Sequence, residues 1–441
     1  MSHRRQMVVA FLVAALALAA PLHGQSAPGS QRGTDSLSAR GSQATGSPPE
    51  GVYRVYVGAE SADLLHRVRF GPEGGSLEAS IPVQALSQQS RESHLLSDHE
   101  APHGVAIHPE RGVVFMTTGH GVPDGKLWKL EAGSGRLLAG PLDLGRFPAS
   151  LDVSPDGLWV AVANFNLHGE MAPSSISVVF AGDDERLMEV AQVETCTMPH
   201  GSRFHPQGRQ HYSVCMMDDQ LVELDLGSMA VSRRLWVARG QEGPLPRDHR
   251  GFHDPETQAQ HHGAPGQDVS GHRAHGDGTS DPPPDAHYTP SCSPTWVQPS
   301  TDGRHLYLAC NASDEILEIH RDRWEVTRRF STGRGPYNLD ITPDDGLLVV
   351  TLKQGKGVEF IDLERGESVA RVETSIRVVH GVAIAPDGRF AFVSVEGVGS
   401  EPGVVEIYDL STFERVDRVE VGQQASGIAF WNLTPPPTEG G

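Results

Sequence analysis

The chain has 441 residues and sets 36 basic against 56 acidic side chains, a net charge of -20. That balance repels phosphate backbones and anionic membrane surfaces, so nucleic acid is not expected as a partner. The length suits one large domain or two ordinary ones and does not choose between them.

The chain opens with two arginines, an apolar run from Met7 to Ala20 and then small residues. This is the layout of a secretory signal peptide, placed at residues 1–24, and it predicts a periplasmic or secreted protein. No later segment has the run of about 18 apolar residues a membrane helix needs, so no transmembrane anchor is expected. Residues 25–51 are rich in Ser, Gly and Pro and read as a disordered linker.

From Val52 to Trp431 the sequence repeats. Turn motifs recur as HPERG at 108, SPDG at 154, HPQG at 205, STDG at 300, TPDDG at 342 and APDG at 385. Each sits between a short apolar strand and a β-rich one, so each predicts a hairpin. Two more strand-like runs follow each hairpin, which makes a four-stranded unit and hence a propeller blade. The three strands before the first hairpin and the lone strand ASGIAFWN after the last complete a further blade from both termini. The predicted fold is all-β, a seven-bladed propeller over 52–431, with a flexible tail at 432–441. The stretches DGRHLYLACNASDEILEIH and DGLWVAVANFN resemble the YVTN-repeat β-propeller family across nearly the whole of 52–431, a resemblance that implies fold far more than function.

One segment breaks the period. Residues 238–291 are rich in His, Gly, Pro and Asp with almost nothing to bury, and read as a disordered insertion between the fourth and fifth blades. Such a tract either gathers Zn²⁺ or Cu²⁺ weakly or is a solvated loop without a role.

In a propeller the innermost strand of each blade starts at one face of the central channel. The residue six before each turn proline, or its equivalent, is His103, Ala149, His200, Thr295, Tyr337 and His380, with Ser426 from the closing strand. Three histidines spread around one axis suggest ligands of a single ion with an open position. The plainer reading is that each His bonds strand-end backbone while the following Gly allows close packing. Second strands end at the same face and add His120, His168, Met216, Met217, Asn311, Lys353 and Glu396. Methionine beside imidazole suits copper better than zinc, although Met is also an ordinary gap filler.

Cys196 and Cys215, and Cys292 and Cys310, bracket the inner hairpins of blades four and five. Hairpin geometry and an oxidising compartment favour disulfides in those two pairs, with the other two pairings left open.

Three functions compete. The first is an exported metal-binding propeller, with copper as the cofactor, that stores the ion or uses it for redox chemistry; here the channel histidines resemble those of the nitrous oxide reductases, without a cupredoxin segment. The second is a monomeric scaffold that binds a protein or cell-envelope ligand. The third is a lactonase, an activity implied by resemblance to lactone-opening seven-bladed propellers, with Glu396 or a channel His activating water.

Overall fold

A computed structural model describes residues 49–90, 99–120, 122, 124–167, 169, 171–252 and 288–436. The expected signal peptide, most of the linker, His168 and the heart of the His-rich tract lie outside the described residues. The unit formed by residues 45–441 is built from seven antiparallel sheets.

Blade one pairs the C-terminal strand Ala425–Thr434 with Val52–Ala59, followed by Leu64–Gly71 and Gly74–Pro82. Blades two to seven begin with the inner strands Pro102–His108, Pro148–Val153, Pro199–Phe204, Pro294–Pro299, Pro336–Ile341 and Val379–Ile384. Each inner strand packs on the next, and the seventh returns to the first, so the ring is closed. The outermost strands alternate half-buried and exposed residues, as in Met188–Thr197 and Glu325–Ser331, because one face meets the neighbouring blade and the other meets water.

The hydrophobic core lies between blades rather than within them. Tyr53, Val55 and Phe70 of blade one, for example, join Phe390, Phe392 and Ile407 of blade seven in one buried cluster. The inner hairpins turn where the Pro and Gly motifs stand: Gly157, Gly208, Gly303 and Gly388 all adopt positive φ, between 68° and 80°. Blade six carries an additional aspartate, and there Asp345 takes the left-handed conformation with φ 56°. Aspartate tolerates that region better than most residues with a Cβ.

Two boundaries differ from the sequence expectation. The predicted insertion begins too early at 238, since Gly243–Leu245 adds a fifth strand to blade four, with Leu235 opposite Pro244. Proline is admissible there because the outward N–H of an edge strand has no neighbouring strand to bond. The predicted tail begins too early at 432, since Asn432, Leu433 and Thr434 pair with Arg54, Tyr53 and Val52. A seven-residue helix, Val83–Gln89, which the repeat pattern does not announce, leads out of blade one.

Candidate functional site

His103, Ala149, His200, Thr295, Tyr337, His380 and Ser426 are each the second residue of an inner strand. A residue of positive φ stands before every one of these strands: Ala101, Phe147, Met198, Ser293, Gly335, Val378 and Gln424. In six blades the carbonyl of that residue accepts the N–H of the residue leaving the second strand: Glu60, Phe165, Met216, Asn311, Lys353 and Glu396. In blade two, Gly119 donates instead to Glu100, and His120 follows. One backbone device thus sets a second ring of side chains beside the first.

Glu60 ties the two rings together. His103 donates Nδ1–H to Glu60 Oε1 at 2.6 Å, and His120 Nδ1 makes a very short contact with Oε2. Gln424 Nε2 also donates to Oε2, at 3.2 Å. Glu60 is only 2 % exposed. Burial alone would raise its pKa, but the charge and hydrogen bond of His103, and then those of His120, outweigh burial and hold it at about 2. Burial depresses His120 in turn, and its contact with Glu60 reverses the sign, so its pKa is raised.

On the other side, His200 donates Nδ1–H to the Thr295 carbonyl at 2.6 Å. Its Nε2 is therefore an acceptor, and the Tyr337 hydroxyl stands 3.2 Å away. The same hydroxyl lies 3.5 Å from His380 Nε2, which also faces Glu396 Oε1 at 3.9 Å. Lys353 Nζ sits 2.9 Å from that carboxylate oxygen and 4.1 Å over the Tyr337 ring. Burial, then the Lys353 charge, push His380 well below the ordinary imidazole range, and burial takes His200 down to about 3. Desolvation opposes the charge on Lys353, but Glu396 overrides it and the pKa rises. Both histidines are therefore neutral across the physiological range and able to donate a lone pair.

All three histidines expected as ligands stand at this mouth, and the rings of His103 and His380 are 5.2 Å apart. Tyr337 intervenes between His200 and His380. Among the described residues, the compact donor set is Glu60, His103 and His120, with one ligand atom from each within 4.8 Å of the other two. Two imidazoles and a carboxylate suit a first-row divalent ion. Met216 and Met217 instead join Phe147, Phe165 and Met198 in an apolar cluster at the same face, which is the packing role. Asn311 bonds the Pro336 carbonyl and Gln354.

Sequence reasoning missed Glu60. It took the ends of second strands in the six complete blades and passed over the stitched one, whose second strand is Val52–Ala59. The same rule applied there points to Glu60.

Both disulfides join the expected partners, Cys196 to Cys215 and Cys292 to Cys310. The first brackets the inner hairpin of blade four in sequence, as expected, but not within one blade. Cys196 lies in the outer strand of blade three, so the bond crosses between blades.

The Cytochrome D1 heme domain family matches residues 342–432, most of blades six and seven and of the closing strand. That stretch is less than half of the chain and contains Lys353, His380 and Glu396 but not Glu60, His103, His120 or His200. A haem does not fit among the residues present. The mouth is filled by rings in contact, with centroids 4.4 Å apart for His120 and Phe147, 5.0 Å for Phe165 and His200, and 5.0 Å for Tyr337 and His380. Among curated proteins no sequence matches. Hydrazine synthase of Kuenenia stuttgartiensis is similar in structure, at 18 % identity over 73 % of this chain and 80 % of that one, with a TM-score of 0.51. The periplasmic gluconolactonase of Pseudomonas aeruginosa aligns at 17 % identity over 88 % of this chain and 100 % of that one, TM-score 0.59. A putative 6-phosphogluconolactonase of Bacteroides uniformis aligns at 15 % identity over 86 % and 99 %, TM-score 0.55. At these identities the likeness establishes a shared propeller fold and leaves the chemistry to the site.

Proposed function

We propose that this protein is an exported metal-binding propeller. It holds one first-row divalent cation at the channel mouth, with Glu60, His103 and His120 as the inner donors and His380 and His200 facing them. The observation that carries the reading is Glu60, a buried carboxylate gripped by two imidazoles, with ligand atoms close enough to converge on one ion. Copper(II) is the ion expected to bind most tightly, because mixed nitrogen and oxygen donors follow the Irving–Williams order. The two disulfides support an oxidising compartment.

The chain's own residues supply the geometry. Gln424 holds the Glu60 carboxylate by its side chain and the Glu60 N–H by its carbonyl, and the Thr295 carbonyl fixes the tautomer of His200, as outer partners of metal-bound imidazoles commonly do. Loss of the proton that His120 holds toward Glu60 accompanies uptake, so affinity falls as pH drops, and because that pKa is raised the fall begins above the ordinary imidazole range.

The test is titration of purified, chelator-stripped protein with Cu²⁺ and Zn²⁺ by calorimetry, with bound metal counted by elemental analysis. Wild type should take one tightly bound equivalent, and Glu60→Gln, His103→Ala and His120→Ala should each weaken it at least tenfold. A variant lacking residues 253–287 should keep that equivalent. Tight binding that survives all three substitutions and vanishes with the segment would defeat the reading.

A further inference from the structure

We infer that the ion at this mouth takes a small monoanion as its further ligand, a carboxylate or oxyanion of a few heavy atoms, and that Lys353 holds it. The inference rests on the proposed metal site and deepens it.

The argument begins with charge. Glu60, Glu396 and Lys353 all act on His120, and the Lys353 charge acts on His380 and His200 as well. With no ion bound, each carboxylate has its own donor: Glu60 has His103 and His120, and Glu396 has Lys353. A divalent ion on Glu60, His103 and His120 requires neutral imidazoles. Set against the carboxylates of Glu60 and Glu396, the two charges of the ion and the one of Lys353 leave one positive charge over among these groups. Glu60, His103, His380 and Tyr337 are buried, so water compensates that charge poorly. A monoanion restores the balance, whereas a neutral ligand leaves it unmet and a dianion reverses it.

Position supports the same assignment. At the mouth, solvent reaches the side chains of His120 at 28 % and Lys353 at 25 %, with Glu396 at 14 %. An arriving ligand therefore meets the ammonium and the edge of the donor set together. Lys353 is held from two directions, by Glu396 at 2.9 Å and by the Tyr337 ring at 4.1 Å. An ammonium has three donors, and Glu396 takes one of them. The interior side is closed by rings, His103 against His380 at 5.2 Å and Tyr337 against His380 at 5.0 Å, which limits the ligand to a few atoms.

The experiment uses the full chain loaded with one equivalent of Cu²⁺, with azide as a spectroscopic probe and formate as its competitor. Azide should produce a saturable charge-transfer band that formate displaces. Lys353→Met should lower azide affinity at least tenfold, while Cu²⁺ affinity, read by competition with a chromophoric chelator, is kept or increased because a nearby positive charge is gone. Lys353→Arg should restore azide binding, and imidazole, a neutral probe, should bind wild type and Lys353→Met alike. Equal azide affinity in wild type and Lys353→Met, or a parallel loss of azide and imidazole binding, would overturn the inference and leave the metal site standing. Wild type that takes up no Cu²⁺ would remove the metal site itself, a separate failure visible before any azide is added.

Discussion

A Cβ placed on Gly427 would stand 2.4 Å from the His103 carbonyl oxygen, and one on Gly201 would stand 2.7 Å from the Trp296 Cα. Both clashes are with backbone, which cannot swing aside as a side chain can. Gly427→Ala must therefore push apart the inner strands of blades one and two. It is expected to cost about 1–3 kcal/mol, the usual range for overpacking, measured by denaturant unfolding. Because the displaced residue is His103, the same variant should also weaken Cu²⁺ binding, while Gly243→Ala, at a site with nothing within 4 Å, should leave that binding unchanged. The value of glycine after the mouth residue was legible in the pairs His103–Gly104, His200–Gly201 and His380–Gly381. The place of Glu60 follows from the second-strand rule once the stitched blade is counted, but its role does not, since that depends on a contact with Gln424 and on two imidazoles of another blade.

The residues that precede the inner strands carry strain at the scale of the element. Val378 has φ 68°, a conformation uncommon for any residue with a Cβ and exceptional for a β-branched one. Blade six has Gly335 at the corresponding place, φ 63°. Val378→Gly is accordingly expected to stabilise the protein by about 1 kcal/mol, the cost of one left-handed residue, seen as a higher denaturation midpoint. A lower midpoint would mean that the valine side chain contributes more by packing than its backbone costs. Cys196–Cys215 and Cys292–Cys310 close loops of similar length, with sequence separations of 19 and 18. The chain-entropy argument assigns each about 3 kcal/mol, so paired serine substitutions at either bridge should lower the melting temperature by similar amounts. If blade-to-blade linkage adds rigidity of its own, the Cys196/Cys215 variant will lose more. Hairpins were legible because Pro and Gly mark turns within four residues. The edge strand Gly243–Leu245 was not, because its pairing partner, not its composition, makes it a strand.

At the scale of the whole molecule, stability rests on ring closure and on histidines kept neutral. Removing residues 425–434 takes away the partner of Val52–Ala59 and the packing of Ile428 against blade seven, and should abolish the cooperative thermal transition rather than shift it slightly. Away from the mouth, burial lowers His66 to about 4 and His211 to about 3. Between those values and the ordinary 6.5 the unfolded chain binds protons that the folded one refuses, so stability falls as pH falls through that window. At about 1.4 kcal/mol per pH unit, each contributes a loss on the order of 2 kcal/mol by pH 5. Melting temperatures between pH 7 and pH 5 should drop less steeply in His211→Gln than in wild type; parallel curves would show that His211 is not a source of the acid sensitivity. The seven-fold architecture was legible because the repeat states it six times over. The inter-blade route of one disulfide was not, since a blade boundary leaves no mark between Cys196 and the inner strand that follows it.

The stitched blade also governs the order of events in synthesis and folding. Glu60 emerges early from the ribosome, yet its N–H and one of its carboxylate oxygens are bonded to Gln424, more than three hundred residues later. Contacts so distant in sequence form late. A chain cut short in translation would present His103 and His200 with no anchored carboxylate between the blades, and its first three strands would have an open edge. Folding of the mouth thus serves as a check on completeness: only a chain finished to its last blade brings Glu60, His103 and His120 together under the grip of Gln424.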